Sequence, residues 1–437
     1  MFTECVGRPL ARKKIPVWVT AIRILAGSLA LLFLVAPASA DELPLTLGEA
    51  ERLAVEQEPG ERALAARAEA LAQRANAAEQ LPVPQWRAGI ANYPLSGGGF
   101  DQEPMTMAQV GFQQMMPAGD SRRIRKQLYL AESTVFGARA AGRTAFVRES
   151  ARVAWLDVYH WHRAEALVAE TRPWLEELAS VVRSHYEAGH KGQQDLVRAE
   201  LELAKLDLRL IEIRQQESQA RVRLSRWLGD AAYRPIAQVL PQAPLAPDLA
   251  TLQENLRSHP EVLADTARVD AGDEAISLAR EKFKAAWSIG VTYGYRSGRA
   301  PDGGARSDMV SLQVTRDLPF LGRKQQNSEL GAALQERRAS EAELEQNLRQ
   351  LSAILVDAFT SYSSLDARVR SQQDRVLPLA KFSAEAALVA YQSDSGDFND
   401  LARARVQVFE DRLELVRLQV AQAKAYATLV NLGGAQS

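Results

Sequence analysis

The segment YEAGHKGQQDLVRA, residues 186–199, returns 205 positions later as YQSDSGDFNDLARA, residues 391–404. In each copy a Tyr precedes a polar, Gly-containing turn, and Asp-Leu opens a new apolar period, which predicts a helix–turn–helix apex written twice. Working outward, further landmarks stay in register. Pro173 matches Pro378, Pro117 in MMPAG matches Pro319 in LPFLG, and WRAGIANY from Trp86 matches WSIGVTYGY from Trp287. Trp227-Leu228-Gly229 and Asn431-Leu432-Gly433 close the two copies. Landmarks repeating with offsets of 201–205 residues mean a tandem duplication. The stretch 235–247, with Pro235, Pro241, Pro244 and Pro247, cannot be helical and separates repeat 41–234 from repeat 248–437.

Each repeat reads as helix, strand, strand, long helix, turn, helix. After the first apex, Leu196, Leu203, Leu210, Glu217 and Leu224 form one heptad row, and Ala199, Leu206, Ile213, Ala220 and Trp227 the other. The second copy gives Leu401, Val408, Leu415, Gln422 and Leu429, so even the polar break recurs. A sustained 3.5-residue period predicts coiled-coil packing, although an ordinary bundle stripe reads alike. Gly119 to Tyr186 and Gly322 to Tyr391 are each long enough for a helix of roughly 100 Å. Pro173 and Pro378 are expected to kink the two at the same height. The shorter helices, about 46–80 and 193–228 in the first repeat, lie end to end along such a rod.

Between the helices the pattern changes to period 2. Trp287, Ile289, Val291, Tyr293 and Tyr295 share one face against Ser288, Gly290, Thr292, Gly294 and Arg296. Val310, Leu312 and Val314 likewise oppose Ser311, Gln313 and Thr315. Strands are predicted at 85–95, 105–115, 286–296 and 308–318, each near the length that crosses a bilayer. A small antiparallel sheet on a soluble core would alternate in the same way. A membrane reading makes the apolar set lipid-facing and forces oligomerisation, because four strands cannot close a barrel. Two copies would supply eight strands and three would supply twelve.

At the N-terminus, five basic residues from Arg8 to Arg23 precede an apolar run, Ile24–Val35, and the triplet Ala38-Ser39-Ala40. This is the layout of a secretory signal peptide, residues 1–40; an N-terminal membrane anchor is the alternative. Removal would leave 48 basic and 53 acidic residues and no Cys, since Cys5 is the only one in the 437-residue chain. Charges nearly cancel, so nothing suggests a nucleic-acid partner. The mean hydropathy of −0.22 argues against a bundle of membrane-spanning helices.

The duplicated repeats, paired strands, hundred-ångström hairpins, Tyr-x₈-Asp-Leu apex and LPFLGRK junction at Leu318–Lys324 together resemble the TolC-like outer-membrane efflux proteins. MPAGDSRR at Met116–Arg123 is a looser copy of that junction. The resemblance covers essentially the whole chain after residue 40 and is greatest to the CzcC-type heavy-metal cation branch. It implies a mainly α protein with a membrane β-barrel portion: a homotrimer closing a 12-stranded β-barrel and a 12-helix α-barrel. It further implies a Gram-negative outer membrane, lipid around the barrel, and a passive export duct for divalent metal cations. The implied partners are a periplasmic adaptor (a membrane fusion protein) and an inner-membrane pump of RND type.

In the family, aspartate rings near the second apex form the periplasmic gate. Asp400 falls on the first such position and Arg403, a departure, on the second; Asp195 and Arg198 repeat the arrangement. A ring of Asp would select cations, and an Asp there could equally cap a helix. Gly189, Gly192 and Gly396 are expected to shape the turns, which the resemblance makes adaptor-docking tips. Drug efflux or protein secretion through the same fold remains open, as does a periplasmic coiled-coil adaptor or scaffold. The basic run Arg122, Arg123, Arg125 and Lys126 reads as a headgroup contact or a solvated face. His160 and His162 point to different sides of one helix, so no metal site is expected. No cofactor is implied, and no nucleophile–base arrangement suggests an enzyme.

Overall fold

The fold comes from a computed structural model that describes residues 43–188, 192–241, 246–393 and 395–433. The expected signal peptide, Cys5 and Gly189 lie outside the described residues. The first repeat runs α1 (Leu47–Gln57), α2 (Pro59–Glu79), β1 (Gln85–Ala91), β2 (Met107–Met116), α3 (Ser121–Glu187) and α4 (Gln193–Leu228). The second runs α5 (Leu249–Asn255), α6 (Pro260–Glu281), β3 (Trp287–Tyr295), β4 (Met309–Arg316), α7 (Arg323–Ser371), α8 (Leu377–Gln392) and α9 (Phe398–Gly433). Among the described residues no helix is long and apolar enough to cross a membrane.

The helix expected over 46–80 is two helices, because Pro59 cannot donate to a ladder and sits instead at a helix start. The second repeat breaks at Pro260 for the same reason. Both breaks are capped: Glu58 Oε1 accepts from Gly60 N at 2.8 Å, and His259 Nδ1 from Glu261 N at 3.3 Å. The preceding starts are capped as well, by Thr46 Oγ1 from Glu49 N and Asp248 Oδ1 from Thr251 N.

The helix α3 runs for 67 residues and packs against α2 and α4 of its own repeat and α6 and α9 of the other. Along α4, Ala199, Leu206, Ile213 and Ala220 are buried, so this heptad row is the seam, while Leu196, Leu203 and Leu210 are only half-buried. The polar break in the neighbouring heptad row of each repeat is met from the long helix beside it. Glu217 lies 3.8 Å from His162 and accepts from Arg221, and Gln422 Nε2 donates to Asp366 Oδ1 at 3.0 Å. His162 and Asp366 are themselves equivalent positions, 204 residues apart. The main core gathers where α1, α3 and α4 meet, around Trp155, Leu156 and Val158. Trp155 Nε1 donates to Leu45 O at 3.0 Å, and Leu45 pairs with the start of the linker, its N–H donating to Pro235 O at 2.7 Å.

The two prolines expected to kink the rods alike stand in unlike surroundings. The rod α3 carries Pro173 inside a continuous α-helix, whereas α7 and α8 are joined by a π turn, Gln372–Val376, just ahead of Pro378. The packing differs at this height. Gln372 Nε2 donates to Asp411 O and Oδ1, at 3.2 and 3.3 Å. The matching pair in the first repeat, 205 residues earlier, is Leu167 and Leu206, both buried in the main core. A polar contact to a backbone carbonyl accompanies the irregular turn; an apolar contact accompanies the regular one.

The four strands make one antiparallel sheet in the order β1-β2-β3-β4, so β2 and β3 join the repeats and β1 and β4 are open edges. Strand β1 stops at Ala91, short of the expected 95, because Asn92 takes φ 53°. A left-handed residue cannot continue a strand, and its carbonyl is taken by Thr106 Oγ1 at 2.8 Å.

Candidate functional site

Residues paired across strands share a face, so the register sorts the sheet into two surfaces. One carries Trp86, Phe112, Val291 and Leu312 in a single row. The next row is Ala88, Val110, Tyr293 and Val310. Trp287, Val291, Tyr293, Tyr295, Val310, Leu312 and Val314 are all exposed, Val310 at 73% and Leu312 at 71%, while Ile289 is half-buried. Eight intervals along β3 at about 3.4 Å give a band of roughly 27 Å, close to the hydrophobic height of a membrane barrel.

The other face is polar. Arg87 Nη2 donates to Gln113 Oε1 at 2.5 Å, and Gln113 Nε2 to Ser288 Oγ at 2.8 Å, a chain crossing three strands. Sequence alternation locates both faces. It does not reveal that β2 lies beside β3, since that pairing joins residues about 180 positions apart.

At the far end of the sheet, Arg306 and Arg296 tie the two connecting loops together. Arg306 Nη1 donates to Glu103 O and Ser297 O, and Arg296 Nη1 to Pro104 O at 3.4 Å.

At the opposite end of the molecule the two apices pack side by side. Leu178, Val182 and Ala199 of the first hairpin share a cluster with Phe398, Leu401 and Ala402 of the second, and Tyr391 meets Phe398 edge to face at 6.2 Å. Asp400 and Arg403 are exposed, and Asp195 and Arg198 half-buried. Both acids fall in the first turn of their helices rather than at the cap, where Gly192 stands before α4. Each therefore favours its helix dipole wherever else it acts. Gly192 is extended, φ −80° and ψ 153°, so its conformation does not demand glycine. Gly396 does require it: a Cβ would stand 2.9 Å from Ala390 Cβ and 3.1 Å from the Ala390 backbone carbon.

Just behind the apices, a cavity of about 310 Å³ lies between α3, α4 and α9, lined by Trp174, Leu206, Arg209, Arg405, Phe409 and Glu410. Arg405 stacks over Trp174 at 4.8 Å, and Arg412 pairs with Glu170 across the two repeats. Nothing in the sequence links residues so far apart, so these contacts have no signal there. Among the described residues no group of three or more His, Cys, Asp or Glu is placed to hold a metal.

Residues 251–435 match the family described as outer membrane efflux protein. The chain is 25% identical over 231 residues to the cobalt-zinc-cadmium resistance protein CzcC of Cupriavidus metallidurans, which is 52% of this chain and 53% of that one. The match thus spans about half the length of this relative. Solved structures share the fold more fully. The CusC structure superposes with a TM-score of 0.75 at 15% identity, covering 90% of this chain and 92% of that one. The Campylobacter jejuni CmeC outer membrane channel gives 0.72 at 12%, covering 89% and 85%. The Neisseria gonorrhoeae MtrE outer membrane channel in its open state gives 0.71 at 16%, covering 89% and 88%.

Proposed function

We propose that this chain, an outer-membrane efflux protein by the family its second half matches and by its fold, is the passive outer-membrane duct of a tripartite export system. The observation that carries the reading is the open sheet: an apolar outward face, a polar opposite face and two edges without partners. Backbone groups in a bilayer must all be bonded, so such a sheet is complete only when β1 of one copy meets β4 of another. Three copies give twelve strands and place the helical rods of every chain around a common tunnel.

The flanks away from α3 support the same assembly. Val197, Leu201, Leu208 and Ile211 on α4, and Leu379, Phe382 and Val389 on α8, are apolar and exposed in the single chain. On this reading residues 1–40 are the export signal, the repeats are 41–234 and 248–437, and the apices with Gly192 and Gly396 meet a periplasmic adaptor fed by an RND-type pump. Asp400 and Asp195 then face the narrow end of the tunnel, with Arg403 and Arg198 diluting their negative field. Divalent metal cations are the proposed cargo, supported by the similarity to CzcC.

Fractionation of the producing cell tests the duct: an SDS-resistant trimer in the outer membrane is expected, and a monomer in the soluble periplasm would refute it. For cargo, deletion of the gene is expected to lower tolerance to cobalt, zinc or cadmium. Unchanged metal tolerance with increased sensitivity to drugs would replace the metal reading with drug efflux.

A further inference from the structure

The helix-side end of the apolar face is not apolar. Arg316 pairs with Trp287 across β3 and β4 and therefore stands on the same face as Val314, Leu312 and Val310, at its last row. Beyond it the chain turns into α7 through Leu318-Pro319-Phe320-Leu321-Gly322, in which Leu318, Phe320 and Leu321 are exposed at 54%, 60% and 75%. Arg323 and Lys324 follow at once, both exposed.

The other cations of this junction are mostly engaged. Lys126 pairs with Glu79, Lys282 with Glu329 and Lys284 with Glu281, each at 2.7 Å, and Arg122 donates to Glu79 O at 2.9 Å. Arg316, Arg323 and Lys324 have no ion pair among the described residues. Arg323 and Lys324 do not serve the helix either, since cations in a first turn face its positive end.

We propose that Arg316, Arg323 and Lys324, with Leu318, Phe320 and Leu321, form an anchoring site for anionic phospholipid in the leaflet on the helical side of the sheet. This rests on the reading of the sheet as membrane-spanning and adds a lipid preference to it. Two observations fix the occupant. Leu318, Phe320 and Leu321 lie just beyond the lipid-facing band, and three cations without ion pairs, against the single exposed Asp317, stand where that band ends, at headgroup depth. Long basic side chains there extend toward the headgroups while their stems and the neighbouring Leu and Phe remain against acyl chains. A neutral lipid would fill the apolar part and leave the charges unanswered. The basic run at Arg122–Lys126 plays a lesser part, because of its four cations only Arg125 lacks a partner among the described residues.

Trp287, beside Arg316, is a built-in reporter. The full-length chain, in a Trp86→Phe background, is reconstituted into vesicles of phosphatidylcholine with a minor fraction of phosphatidylglycerol, brominated on one lipid at a time. Quenching of Trp287 then reads local lipid composition. Phosphatidylglycerol is expected to be enriched over its bulk fraction about fivefold or more. The enrichment should collapse in the R316Q/R323Q/K324Q variant and in high salt, and persist in the control R375Q/K381Q, which removes two cations toward the opposite end of the second rod. Equal enrichment in the triple variant overturns the inference and leaves the membrane reading intact. Loss of the SDS-resistant oligomer in the triple variant would assign the patch to a second copy instead. Absence of quenching by either lipid would remove the membrane reading itself, and this inference with it.

Discussion

Gly119 and Gly322 occupy equivalent strand-to-helix junctions, yet the structure asks different things of them. Gly119 has φ +46°, and a Cβ there would lie 2.1 Å from Glu281 Oε2, which accepts from Asp120 N at 2.7 Å. Gly322 has φ −103° and ordinary space around it. Gly119→Ala should therefore lower the thermal midpoint of the detergent-extracted protein, combining about 1–2 kcal/mol of backbone strain with loss of a charged hydrogen bond of about 1.5–3 kcal/mol. Gly322→Ala should stay within about 0.5 kcal/mol; equal effects would contradict the geometry. At His160, burial holds the imidazole pKa below the usual 6.5, reinforced by Lys424 and Arg417 and opposed by Asp157. Its Nδ1 is buried without a hydrogen-bond partner among the described residues, and Gln407, Asp411 and Glu414 line the same cavity. The unfolded chain takes up the proton first, so stability falls as pH drops through about 6.5 and stops falling below the folded pKa. Burial lowers His259 in the same way. Between pH 7.5 and 5.5 the midpoint should decline, and decline less in His160→Gln; identical slopes would rule His160 out as a source.

The elements with strong periodicity are legible in the sequence alone: both apices, both rods, and β2, β3 and β4 to within two residues at each end. What escapes it depends on contacts between distant residues or on local chemistry that periodicity averages away. Pro59 and Pro260 sit 201 positions apart and open new helices, but a single proline inside a long amphipathic stretch reads as a kink as readily as a start. The π turn comes with the Gln372–Asp411 contact, which stands where the first repeat has Leu167–Leu206, and the spacing of apolar residues is blind to that exchange. Of the candidate site, both sheet faces are readable from alternation, whereas the Arg405–Trp174 contact joins two repeats and has no local signature. Within the first repeat, the buried ion pair between Arg152 on α3 and Glu51 on α1, about nine-tenths buried on both sides, also lacks a local signature, its partners lying 101 positions apart. Arg152→Met leaves a buried carboxylate unpaired and should cost about 3–5 kcal/mol. Adding Glu51→Leu should recover most of that loss, since a well-packed apolar pair of similar volume is often neutral. Chemical denaturation of the three variants reads the cycle, and a double variant no better than the single one would mean that the pair is not an isolated unit.

At the scale of the whole molecule, composition conceals what the fold needs. The mean hydropathy is negative because the apolar surface is confined to alternate residues of four short strands and to narrow helix flanks. These surfaces lack partners among the described residues of one chain: β1 and β4 are edges, and the outer flanks of α4 and α8 carry exposed Leu, Ile, Val and Phe. An isolated copy would present two open strand edges to any passing strand, a state that aggregates. Closure through identical copies removes both edges at once, because a β1-to-β4 contact is heterologous and repeats around a ring. The chain's single Cys permits a direct test. In a Cys5→Ser background, Ala88→Cys on β1 is combined in turn with Val310→Cys, Leu312→Cys or Val314→Cys on β4, all on the apolar face. Residues 88 and 310 of one chain are separated by the whole width of the sheet, so a disulfide requires two copies. Mild oxidation in the membrane should give a covalent ladder ending at three chains for whichever combination matches the register between copies. A ladder ending at two would place eight strands in the barrel, and monomers alone in all three combinations would remove edge-to-edge closure from the molecule.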